Sequence, residues 1–79
     1  MITAIYDPSV KYRLVEEYGP YCFSVLENGE LFTNWGFTDP DRAVLWFLGF
    51  GDKVRVIDPP EMVQKMKDAI NSIRKLYET

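Results

Sequence analysis

Three aromatic rings and one guanidinium give this chain its strongest functional signal. Tyr21, Phe23 and Phe32 fall at alternating positions of two β-prone runs, and alternation sets Arg55 of a later run on the same face. Rings and a cation placed this way would stack a planar effector or grip a partner subunit. The same rings would serve as core if the last helix of the chain packed over them. Catalysis has less to work with. There is no histidine, which removes the usual general base near neutral pH and the commonest metal ligand. Ser-His-Asp and Cys-His mechanisms are thereby excluded. Cys22 is the only cysteine and is expected in the core beside Trp35, since a reactive thiol needs a neighbouring positive group. Asp7, Asp39 and Asp41 stand beside prolines at helix starts, where carboxylates cap free amides. Gly49 and Gly51 lack the GxxxxGK spacing of a phosphate cradle. No catalytic residue, metal site or cofactor is expected.

The elements that must position these residues follow from local signals. The run 2–6 is short, apolar and partly β-branched, hence a strand. Asp7-Pro8 opens a helix with Val10, Leu14 and Tyr18 on one face, and Gly19-Pro20 ends it. The runs 21–27 and 30–37 flank Asn28-Gly29, the signature of a two-residue type I′ hairpin. That turn sets Leu26 opposite Leu31, so Cys22, Leu26, Leu31 and Trp35 share one face. Tyr21, Phe23, Val25, Phe32 and Asn34 take the other. Asp39-Pro40 starts a short helix to Leu48, in which neighbouring Trp46 and Phe47 cannot both face the core. The run 54–57 is a fourth strand. Pro59-Pro60-Glu61 opens a long helix whose Val63, Met66, Ile70, Ile73 and Tyr77 alternate steps of three and four, with Met62, Ala69 and Leu76 widening the stripe. Ile2, Ala4, Tyr6, Cys22, Trp35, Phe37, Val54 and Val56 are expected beneath the first two helices.

The predicted fold is α/β, more narrowly α+β: a ferredoxin-like βαββαβ antiparallel sheet over residues 1–58 with an additional C-terminal helix over 59–79, all one domain. Its 79 residues are 47% hydrophobic, enough for a core without a metal or disulfide. No apolar run approaches the roughly 20 residues needed to span a bilayer. With the single cysteine, this suggests a reducing cytoplasm. A net charge of -3 disfavours nucleic acid. The third strand also lacks the basic residue and glycine-aromatic order of RNA-recognition motifs. Acylphosphatases share the topology, but their glycine-rich, arginine-bearing phosphate turn is here Asp7-Pro8-Ser9.

The closing segment, Phe47-Leu48-Gly49-Phe50-Gly51-Asp52-Lys53-Val54-Arg55-Val56-Ile57-Asp58-Pro59-Pro60-Glu61, resembles that of WYL-type bacterial transcriptional regulators. In that family a short helix, a Gly-aromatic-Gly turn, a V-x-V strand and Pro-Pro-Glu precede a terminal helix ending in Leu-Tyr, here Leu76-Tyr77. Tyr6-Asp7-Pro8 and Gly29-Glu30-Leu31 also sit where the family's C-terminal extension, WCX, has them. The resemblance covers almost the whole chain. It implies a regulatory domain for dimerisation and effector response, joined to an N-terminal helix-turn-helix and a WYL domain. DNA contact would then lie in that helix-turn-helix and not here. A homodimer is expected, with Ile70, Ile73 and Tyr77 of the last helix, or the sheet face of Tyr21, Phe23, Phe32 and Arg55, at its contact. The effector is left open. The alternative is an autonomous small-molecule-binding ferredoxin-like module.

Overall fold

Alternation settles the central strand. In β1 (Ile2–Tyr6), Ile2, Ala4 and Tyr6 are buried, while Thr3 and Ile5 turn to the opposite side. A computed structural model describes residues 1–78. Thr79, the last residue of the expected helical segment 59–79, lies outside the described residues. After β1 come α1 (Lys11–Tyr18), β2 (Ser24–Val25), β3 (Leu31–Trp35), α2 (Pro40–Leu48), β4 (Val54–Asp58) and α3 (Pro60–Leu76). The result is a mixed α+β fold. Its four antiparallel strands lie in the order β2-β3-β1-β4.

The helix starts follow the expected chemistry. Asp7 accepts from the Ser9 amide at 2.9 Å and opens one 3-10 turn, Pro8–Val10, ahead of α1. Asp39 accepts from the amides of Asp41 at 3.0 Å and Arg42 at 3.4 Å, satisfying donors that the first turn of α2 leaves free. Val10, Leu14, Ala43, Val44 and Phe47 pack these helices onto Ile2, Ala4, Tyr6 and Leu31. Trp35, Phe37, Val54 and Val56 lie against the same core, as alternation predicts, and Cys22 joins them from the loop before β2.

The hairpin is a correction. Val25, not Leu26, pairs with Leu31, and β2 is only 2 residues long. The Gly29 amide donates to the Leu26 carbonyl at 2.9 Å, and the Leu26 amide donates to the Glu30 carbonyl at 2.8 Å. The turn is therefore longer than a two-residue I′ loop. Asn28 holds it open, accepting from the Glu30 amide at 3.0 Å while its side-chain amide donates to the Glu30 carboxylate at 2.7 Å. Gly29 carries φ 89°, a conformation that costs any residue with a Cβ. Gly29→Ala is expected to cost about 1 kcal/mol and lower the melting temperature by about 4–8 °C, measured by thermal circular dichroism.

Within the subunit α3 does not cover the aromatic sheet face, the place where it would have made those rings core. The helix lies beside α2 and β4, on the side the other helices occupy. Met62 is buried, and Met66 and Ala69 pack against the core. Lys65 meets Asp41 of α2 at 3.2 Å, an exposed pair worth little energy that nonetheless marks the contact. The opposite sheet face is left uncovered by α3: Arg55 is exposed and Ile57 is 44% exposed.

Candidate functional site

The sheet pairing brings together only part of the expected aromatic face. Phe32 and Arg55 both lie opposite Ile5, one on each side, so these two do share the uncovered face. Phe32 is half-buried there. Tyr21 does not join them. It sits in the turn after Gly19-Pro20 and is 96% exposed. Phe23 also precedes β2 and packs against the hydrophobic core. The cause is the longer turn, which shortens β2 and releases residues 21–23 from strand alternation.

Ile70, Ile73 and Tyr77 stand together at the far end of α3. They are 53%, 42% and 84% exposed, and Leu76 beside them is 76% exposed. The seam that anchors the helix, Met62, Met66 and Ala69, continues in the same steps of four and three to Ile73 and Leu76. One apolar stripe thus has an anchored half and an unpartnered half.

A third feature was not visible in the sequence. An open cleft of about 910 Å3 lies between the C-terminal end of α1 and the first turns of α2. Tyr18, Trp35, Phe37 and Trp46 line it, with Leu45 and Arg42 at its α2 side. Tyr18 lies 4.9 Å from Trp35 and 5.6 Å from Trp46, ring centre to ring centre, the second pair edge-to-face. The indole N–H groups bond to other parts of the chain. Trp35 Nε1 donates to the Cys22 carbonyl at 3.0 Å, and Trp46 Nε1 to the Tyr6 hydroxyl at 3.4 Å. Burial pushes the Tyr6 phenol above its ordinary range, so the hydroxyl stays neutral. Phe47, next to Trp46, is buried in the core at 1% exposure, as the angle between neighbours on a helix requires.

Cys22 also borders the cleft, and burial pushes its thiol pKa up. A raised pKa lowers the thiolate fraction that reacts. Cys22 is expected to react with a disulfide reagent at pH 8 more slowly than glutathione, followed by thionitrobenzoate release. A faster reaction would mean a positive neighbour lowers its pKa. Among the described residues, no three His, Cys, Asp or Glu groups stand close enough to hold a metal ion. Among the described residues, no helix is long and apolar enough to cross a membrane.

The family model for the WCX domain matches residues 4–73. The chain belongs to the WCX family. Searches among curated proteins and among solved structures found no match. The match runs from within β1 to within α3, so the WCX region takes in the whole cleft together with Ile70 and Ile73. Leu76 and Tyr77 lie beyond it. The family name implies the context of a WYL-domain regulator.

Proposed function

We propose that this WCX domain is a non-enzymatic module for dimerisation and effector response in a WYL-type helix-turn-helix transcriptional regulator of the bacterial cytoplasm. The N-terminal helix-turn-helix and WYL domains would supply DNA contact, and this domain the pairing of subunits. The observation that carries the reading is the divided stripe of α3, half anchored and half exposed, on a chain of the WCX family. The strand order and the strand-helix sequence before α3 favour assigning the first six elements to the ferredoxin-like class.

The proposed partner for the exposed half is a second copy. Two helical turns bury too little alone, since a stable interface takes about 800 Å2 from each partner. The uncovered sheet face, with Phe32, Arg55 and Ile57, supplies the remaining area if the projecting α3 end of one subunit lies on the sheet of the other. Exchange in both directions gives a twofold pair. Sedimentation of the chain across a wide concentration range tests this. A concentration-dependent shift from monomer to dimer mass is expected. A monomer at every concentration would rule out this contact as sufficient for pairing.

A further inference from the structure

We propose that the cleft between α1 and α2 is a binding site for a flat aromatic monoanion, such as an aromatic carboxylate. Its volume of about 910 Å3 falls within the usual range for small-molecule sites. Tyr18, Trp35, Phe37 and Trp46 line it. The hydrogen bonds from both indole N–H groups to Cys22 and Tyr6 pin ring orientation before any ligand arrives. A pinned ring loses little freedom on binding, so the site is preorganised for stacking.

Charge selects the ligand further. Arg42 lines the α2 side of the cleft and has no ion pair among the described residues. Asp39, the other charged residue of the lining, accepts from two amides of its own helix through one carboxylate oxygen. The Arg42 guanidinium offers a forked partner to one carboxylate, while repulsion from Asp39 across the same cleft grows with ligand charge and so disfavours a phosphate dianion more than a monoanion. The site differs from the sheet face that the sequence singled out. The inference rests on the regulatory reading only for its use as an effector site. Binding is measured on this chain, so its failure and a failure to dimerise are told apart.

The test is a titration of the isotope-labelled chain with 2-naphthoate, and with the neutral 2-naphthamide for comparison, followed by amide and indole N–H resonances. Both tryptophans of the chain line the cleft, so both indole signals report on it. With 2-naphthoate, both signals and the Gly36 and Thr38 amides should shift and saturate. Arg42→Gln should weaken 2-naphthoate about tenfold, the scale of one charge-assisted hydrogen bond, and leave 2-naphthamide unchanged. Arg42 is exposed, so the variant should keep the wild-type spectrum elsewhere. Failure to saturate, equal affinity for the two compounds, indifference to Arg42→Gln, or shifts centred on Phe32 and Ile57 would each overturn the proposal.

Discussion

Phe47→Ala should remove a large part of this domain's stability in one step. The ring is 1% exposed and lies 6.5 Å from Tyr6 and 5.5 Å from Phe37, centre to centre. It joins α2 to β1 and to the segment after β3, so its loss opens a cavity where several elements meet. Such truncations typically cost about 3–5 kcal/mol. A small domain holds only about 5–15 kcal/mol in total, so the loss is a large share of it and should bring the unfolding midpoint down sharply. Urea titration by circular dichroism measures this, with Leu45→Ala as the control on the same helix. Leu45 is 69% exposed, and its change should stay within about 0.5 kcal/mol. Equal costs for the two variants would mean that α2 faces the sheet differently.

Most of that core was legible in the chain. Phe47 and Trp46 are neighbours, and a helix can turn only one of them fully inward. The starts at Asp7-Pro8 and Asp39-Pro40 were equally plain, because capping is a local matter of one carboxylate and two amides. The hairpin was harder. Asn28-Gly29 occurs both in two-residue I′ turns and in longer turns with glycine at positive φ. Side-chain bonds from Asn28 to Glu30 decide between them, and residue types alone do not reveal those bonds. One residue of difference removed Tyr21 and Phe23 from the expected face. The cleft was illegible for another reason. Its walls come from the end of α1, the end of β3 and the start of α2, and no period within one element relates them.

The second large effect is on assembly. Ile70→Asp combined with Ile73→Asp should leave the single subunit folded, since both side chains are already about half exposed. Its intrinsic stability should fall by no more than about 1 kcal/mol. Dimer formation should respond far more strongly. Two carboxylates buried in an apolar contact cost several kcal/mol, which converts to more than about a hundredfold loss of affinity. Sedimentation at matched concentrations reads the association, and thermal circular dichroism confirms the fold. If the wild-type chain dimerises and the double variant dimerises as tightly, the contact lies elsewhere, and the projecting end of α3 has lost its assigned role.

The attachment of α3 also makes it a lever. Its 17 residues span about 25 Å, held from Met62 to Ala69 and free over about the last 10 Å to Leu76. Tilting that free part by about 5° swings its tip by about 1 Å, because displacement grows with distance along a rigid rod. The held end touches α2, where Asp41 meets Lys65, and α2 also carries Arg42 and Trp46 in the cleft wall. Any rotation of α2 carried through that contact would be enlarged along the free end toward Leu76, where the exposed apolar side chains stand.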